Sequence, residues 1–415
     1  MKKRFSIGGK KVSLLGYGAM RMPTVDGGHA NNWARDASKK TIDQRELNSQ
    51  IAYLLDSGVN YFDTSPAYCR GESERRLGEA LEKSGFDREE YIIATKLSNF
   101  AASQQSLDDA KKMLAASLKN LRTNYIDCYL LHSIGNGGFE TFKKRFISNG
   151  ALDWLVQERK KGVVRHLGFS YHGDIKTFEW CMQNHEKYKW DFAMIQMNYI
   201  DWNHAKEVNE RNVNASYLYG ELYKRGIPVV VMEPLLGGSL ARLKDDMARI
   251  LAPRDPSSTG AKWAFRFCAS YPGVMCVLSG MTRREHMEEN VRTFDTFTPC
   301  SQVEFAALER AAEAYLSLGT VPCTSCNYCM PCPYGLDIPS LLRFRNEFLT
   351  GSPSKSASEI LSAYKAAIPE PLRRADHCTG CGICRPACPQ QIDISSEIAA
   401  IDRKIDLLKD EEARK

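Results

Sequence analysis

Val12-Ser13-Leu14-Leu15-Gly16-Tyr17-Gly18-Ala19-Met20-Arg21 is the stretch on which two architectures divide. Its apolar residues read as a short buried strand, and its glycines open the loop that follows. A doubly wound open sheet places Gly-x-Gly-x-x-Gly after its first strand, with a helix starting at once. Here Arg21 stands at the third glycine position, and no helical pattern follows directly. That favours a closed barrel.

The same kind of run returns along the chain at 59–62, 91–95, 126–131, 164–169, 192–196, 228–231 and 275–278. Each is short, apolar and followed by a polar or glycine-containing loop, the pattern of parallel strands buried on both faces. Amphipathic segments lie between them. Residues 106–122 are the clearest: Leu107, Ala110, Met113, Leu114, Leu118 and Leu121 share one helical face. Ser106 with Asp109 is an N-cap signature. Residues 74–81, 284–291 and 304–318 also read as helices. Eight strand–helix units over roughly 300 residues predict a (β/α)8 TIM barrel, an α/β fold. Residues 4–14 read as a hairpin turning at Gly8 and Gly9 and capping the barrel floor. The polar stretch 23–40, with Trp33 inside it, reads as a lid over the mouth or a surface insertion.

The chain has 415 residues, 43% hydrophobic and 26% charged, and a net charge of +6. This is ordinary for a globular protein and excludes a disordered or collagen-like chain. The small, dispersed positive excess identifies no nucleic-acid partner. No apolar run reaches about 18 residues, so no membrane span is expected, and the basic start has no apolar core behind it that would make a secretory signal. A cytoplasmic protein is expected.

Cysteine is the outlier: eight of 14 fall after residue 320. Cys323-x-x-Cys326-x-x-Cys329-x-x-Cys332-Pro333 is followed, after residues 333–377, by Cys378-x-x-Cys381-x-x-Cys384-x-x-x-Cys388-Pro389. The second run has the bacterial iron–sulfur spacing, whose fourth cysteine serves the neighbouring cluster. The predicted ligand sets are therefore crossed. Cys323, Cys326, Cys329 and Cys388 hold one [4Fe–4S] cluster, and Cys378, Cys381, Cys384 and Cys332 hold the other. Zinc sites, which favour paired CxxC, or structural thiols are the rival readings. The first run is one residue short in its last gap. The long spacer has helical patterns near 339–348, 358–367 and 396–408, similar to the helical ferredoxin modules of anaerobic redox enzymes. Two domains are expected: a barrel over 1–320 and a mainly helical ferredoxin-like domain over 321–415. Cys128 and Cys276, within predicted strands, read as small buried hydrophobes.

Active sites of the barrel fold sit where strands end. Strand two ends in Asp63-Thr-Ser-Pro-Ala-Tyr68, strand three in Lys96, strand four in His132. Singly, Asp63 fits a loop cap, Lys96 a solvated charge and His132 a core histidine. Together at successive strand ends they converge in one mouth. Lys96 is expected to favour the phenolate of Tyr68, with Asp63 holding the lysine. Tyr68 then exchanges a proton with a carbonyl or alcohol oxygen that His132 orients.

These segments, with Gly71-Glu-Ser-Glu-Arg-Arg-Leu-Gly-Glu-Ala-Leu81 and Gly168-Phe-Ser170, resemble the aldo/keto reductase superfamily over roughly residues 3–300. The whole chain resembles its bacterial subgroup with a C-terminal ferredoxin-like domain. The resemblance implies an NAD(P)H-dependent oxidoreductase interconverting carbonyl and alcohol, with Tyr68 as general acid supported by Asp63, Lys96 and His132. It places Gly18, Ser170, Gln196 and Met232 at the cofactor, the last three at the nicotinamide. Thr282, Arg283, His286 and Asn290, in Gly280-Met-Thr-Arg-Arg-Glu-His-Met-Glu-Glu-Asn290, fall at its adenosine end. Arg283 or Arg284 facing a 2′-phosphate leans the choice to NADP over NAD. Two departures stand out: Met232 replaces the usual stacking aromatic, and Glu233 an ordinary serine. Cys69 replaces the glycine usual at its place.

The expected partners are a small carbonyl or alcohol substrate and a redox protein, ferredoxin or flavoprotein. A hydride carries two electrons and each cluster one, so a direct path needs an intermediate carrier such as a flavin, for which no motif is evident. Two other readings therefore stand beside the first. One is a reductase with purely structural clusters, and the other an electron-transfer protein whose barrel is a binding or regulatory module.

Overall fold

The computed structural model describes residues 1–27, 29–30, 41–209, 212–350, 355–368, 374–388, 390 and 392–414. Eight parallel strands form a closed barrel. They are β1 (Leu15–Gly18), β2 (Tyr61–Asp63), β3 (Ile92–Leu97), β4 (Ile126–Ile134), β5 (Val164–Tyr171), β6 (Phe192–Gln196), β7 (Val229–Met232) and β8 (Val274–Ser279). Each predicted strand is present, its ends within three residues of those expected. Closure is made at β1, where Gly16 lies opposite Tyr61 on one side and Leu278 on the other. Gly16 owes its identity to packing. A Cβ there would meet the Cys276 Sγ at 2.6 Å inside the barrel.

The interior is filled by Tyr61, Ile92, Cys128, Leu130, Phe192 and Met275, among others. Both Cys128 and Cys276 are fully buried there. The floor is closed by Lys3–Ile7 paired antiparallel with Lys10–Ser13. Gly8 and Gly9 turn at φ 56° and 81°, a region that favours glycine. Ile7 and Val12 of this hairpin join the interior cluster, so it plugs the barrel's N-terminal end. Trp33 and most of the stretch read as a lid lie outside the described residues.

Helix Leu107–Asn120 starts at Ser106, whose hydroxyl accepts from the Asp109 N–H at 3.1 Å. Helices Ser73–Lys83, Arg284–Asp295 and Gln302–Ser317 occupy the other predicted segments. From Val321 onward a second apolar core forms. Its longest helix, Ile394–Ala413, buries Ile394, Ile398, Ile401, Ile405 and Leu408. Their three- and four-residue spacing puts all five on one face. The pattern at 339–348 becomes an α-helix, Ile338–Phe344, ending in a wider π turn, Arg345–Leu349. Ala357–Ala367 supplies a third helix. Among the described residues, no helix is long and apolar enough to cross a membrane.

Candidate active site

The ends of β2, β3 and β4 bring Asp63, Lys96 and His132 together beneath Tyr68. Lys96 Nζ donates to Asp63 Oδ1 at 2.6 Å and to the Thr64 carbonyl at 2.8 Å. The ammonium lies 4.6 Å from the centre of the Tyr68 ring. The Tyr68 and His132 rings meet edge-on, their centres 5.8 Å apart. Tyr68 is 9% exposed, while Asp63, Lys96 and His132 are buried more deeply.

Burial works against both charges of the ion pair. It raises the Asp63 carboxyl and lowers the Lys96 ammonium, and the partner's charge opposes the shift in each. One expectation is corrected here. Burial pushes the Tyr68 hydroxyl well above the usual phenol range, and Asp63 and Glu233 add to it. The Lys96 ammonium is engaged by Asp63 and the Thr64 carbonyl, and its charge does not offset this shift in the resting site. Tyr68 is held neutral.

Burial, then the charges of Lys96 and Arg145, push His132 well below its usual range, leaving it neutral. Its Nδ1 lies 2.6 Å from the Ser98 hydroxyl, which lies 2.9 Å from that of Ser65. When Ser98 donates to Nδ1, the Nε2–H is free to donate into the mouth. Phe100 packs on the other side of this ring, 4.9 Å between centres. A cavity of about 900 Å³, lined by Gly135, Asn136, His172, Lys206 and Asn214 among others, opens beyond the ends of β4 and β5. Burial, then the charge of Lys96, lowers the His172 imidazole to about 4. Cys69 turns away. Its Sγ lies against the Ala19 and Met20 carbonyls, and burial pushes its thiol up to about 12. Its backbone sits at φ 48°, which a glycine adopts more readily.

The residues expected to meet a cofactor lie on the same rim. Gly18 ends β1, Met232 ends β7, and Ser170 stands one residue from the end of β5, where its Oγ accepts from the Ser133 N–H at 2.8 Å. Gln196 ends β6 and donates to Asp201 Oδ2 at 2.7 Å. Glu233, at φ 54°, accepts from the Gly237 N–H at 2.6 Å. After β8, the Thr282 carbonyl accepts from Gln50 and Asn290 donates to the Ser279 hydroxyl at 3.1 Å. Arg283 and His286 are exposed at the start of helix Arg284–Asp295. Arg284 is committed to the Tyr53 ring and Glu288. Arg283 has no ion-pair partner among the described residues.

Cysteines of both runs pack against or within the second core. Burial pushes the Cys326 thiol up to about 12, and Cys388 and Cys323 add to it. Cys329 is raised by burial and then by Cys326, Cys323, Cys388 and Cys384. Cys384 is raised by burial, then by Cys381, Cys378 and Cys332. One cavity is lined jointly by Cys332, Cys378, Cys381 and Cys384, with Cys329 at its edge.

The aldo/keto reductase family model matches residues 15–313, most of the chain. The chain belongs to the aldo/keto reductase family. A 4Fe-4S dicluster domain matches residues 322–394, so the reductase barrel carries a C-terminal iron–sulfur domain. Relatives include a probable voltage-gated potassium channel subunit beta from Arabidopsis thaliana, 23% identical over 75% of this chain and 96% of that protein. L-galactose dehydrogenase from the same plant is 27% identical, over 68% of this chain and 84% of its own length. Among solved structures, an aldo-keto reductase from Bacillus halodurans in holo form aligns with TM-score 0.55 and 22% identity, over 76% of this chain and 97% of that one. One from Klebsiella pneumoniae in complex with NADPH aligns with TM-score 0.56 and 18% identity, over 75% and 95%.

Several supporting residues of this reductase barrel escaped the sequence reading. Buried Arg145 donates to the His132 carbonyl at 2.7 Å and stacks on Phe100, fixing the end of β4. Glu74, 1% exposed, accepts from Thr95 at 2.6 Å and adds negative charge near Lys96. A buried charge on a helical pattern was the available signal for Glu74. Nothing in the pattern marked Arg145.

Proposed function

We propose that this protein is an NADP(H)-dependent reductase of small carbonyl compounds, with Tyr68 as proton donor and an iron–sulfur domain that exchanges electrons with a partner protein. The observation that carries the reading is the buried Asp63–Lys96 pair under a neutral, protonated Tyr68, beside a neutral His132. A bound nicotinamide supplies or accepts the hydride. Tyr68 gives its hydroxyl proton to the carbonyl oxygen, and the His132 Nε2–H holds that oxygen in place. Lys96 lends positive charge beneath the ring as negative charge develops on the oxygen. The chain's organisation in this reading is a barrel over 1–320 and an iron–sulfur domain over 321–415, working in the cytoplasm.

The residues present fit the cofactor. Near Gln196, Asp201 Oδ1 and Gln390 Oε1 are buried acceptors without a partner. Arg283 stands free at the adenosine end, and the Klebsiella neighbour was solved with NADPH. A charge-assisted contact to a 2′-phosphate contributes about 1.5–3 kcal/mol. Arg283→Ala should therefore weaken NADPH binding at least tenfold and leave NADH binding unchanged. Equal binding of NADPH to the variant and the parent overturns the NADP assignment.

The donor set fits two clusters. Eight thiols in two closely spaced runs suit iron centres, and Cys332, Cys378, Cys381 and Cys384 line one cavity together. Cys323, Cys326, Cys329 and Cys388 would hold one [4Fe–4S] cluster and Cys332, Cys378, Cys381 and Cys384 the other, each supplying one-electron transfer. Anaerobically purified protein should contain eight irons and acid-labile sulfide, and oxidise NADPH when given an aldehyde. Cys388→Ser should damage the cluster of the first run. Zinc in place of iron, or loss confined to the cluster of Cys378, Cys381 and Cys384, contradicts the assignment.

A further inference from the structure

The iron–sulfur domain is seated on the barrel mouth at three points. Arg21, just past β1, donates to the Thr324 carbonyl at 2.7 Å. Thr324 presses on the turn after β7, where a Cβ at Gly237 would stand 2.3 Å from the Thr324 Cα. The third point is at the end of β6. Gln390 Nε2, two residues past Cys388, donates to Gln196 Oε1 at 3.2 Å. Asn209 donates to the Gln390 carbonyl and helps to fix its backbone.

Gln390 is 6% exposed, and its Oε1 is buried with no partner among the described residues. Such an acceptor is costly to leave unmet, and native structures seldom do so without a ligand or water to meet it. The Gln196 amide is engaged at both ends, by Asp201 and by Gln390. Gln390 is not: one N–H is used, leaving a second N–H and the oxygen. A donor and an acceptor side by side on one amide match another primary carboxamide, which returns an acceptor and a donor in the same plane. A nicotinamide ring carries that group. The neighbouring unpartnered Asp201 Oδ1 adds a second acceptor for an amide N–H.

We propose that Gln390, a residue of the iron–sulfur domain, is a cofactor-binding residue of the barrel, receiving the carboxamide of the nicotinamide beside Gln196. The pocket is then a composite of both domains. This rests on the reading that a nicotinamide binds at Gln196.

The test uses the full-length, anaerobically purified protein and two ligands, NADP⁺ and 2′-phospho-ADP-ribose, which lacks only the nicotinamide. Calorimetry gives both affinities for the parent and for Gln390→Met, with iron content measured alongside. The expected result is NADP⁺ weakened about tenfold or more, as for one to two lost hydrogen bonds, with 2′-phospho-ADP-ribose binding unchanged. Equal weakening of both ligands overturns the proposal, because Gln390 then only seats the domain. Unchanged NADP⁺ affinity overturns it too, with a buried water as the partner of Oε1. A parent protein that binds 2′-phospho-ADP-ribose and NADP⁺ equally well defeats the nicotinamide reading of Gln196 itself. If Gln390→Met loses iron, Gln390→Glu is judged by the same two affinities. It keeps chain length and acceptor oxygens but removes the N–H donors.

Discussion

Tyr68→Phe should lower carbonyl-reduction turnover by about 10²–10⁴-fold, the usual contribution of a well-placed general acid. NADPH affinity and the iron–sulfur absorbance should stay as in the parent. Phenylalanine keeps the ring that lies over Lys96 and edge-on to His132, so the fold loses no packing and only the hydroxyl is removed. The pH dependence follows from the direction of the Tyr68 shift. Burial, with Asp63 and Glu233, raises the hydroxyl well above its ordinary range. The donor form is therefore fully present through neutral pH, and reduction should show no loss there from tyrosine ionisation. Alcohol oxidation needs the basic form and should rise as pH rises. Cys69→Ser should retain near-parental activity, because that thiol is buried, pushed up to about 12 and set against backbone carbonyls. Unchanged reduction by Tyr68→Phe, or a dead Cys69→Ser, would overturn the assignment of the donor.

The barrel was legible because parallel strands buried on both faces leave compact apolar runs. Ser106 and Asp109 mark a helix start by chemistry that needs no tertiary context. The positions of Asp63, Lys96 and His132 were legible because each ends a strand. What Lys96 does with its charge was not. Sequence order places it near Tyr68 and Asp63, but only geometry shows the ammonium also engaged by the Thr64 carbonyl and the hydroxyl still raised by burial. Gln390 was hidden for a related reason. It follows a Cys-Pro pair in a loop without periodicity, and its partner Gln196 lies 194 residues away. The wider turn at Arg345–Leu349 was likewise invisible, since apolar spacing does not distinguish an α turn from a π turn.

Lys96→Met should cost stability as well as turnover, and a double variant separates the two. Asp63 and Lys96 are 2–3% and 1% exposed. Removing one partner of such a pair leaves an uncompensated buried charge, typically worth about 3–5 kcal/mol of destabilisation. Asp63 has little reserve, because its Oδ2 is already buried without a partner. It can escape by taking a proton, and burial already raises its carboxyl. In the variant the folded-state pKa therefore lies above the unfolded one. Stability should be highest at low pH and fall as pH rises through the folded value. Adding Asp63→Asn removes the second charge and keeps the shape of the side chain. Urea unfolding should then show most of the lost stability restored in the double variant. Turnover should remain low in both, since neither has positive charge beneath the Tyr68 ring. A Lys96→Met protein as stable as its parent, or a double variant no more stable than the single one, would mean that Asp63 and Lys96 are not held as a charged pair.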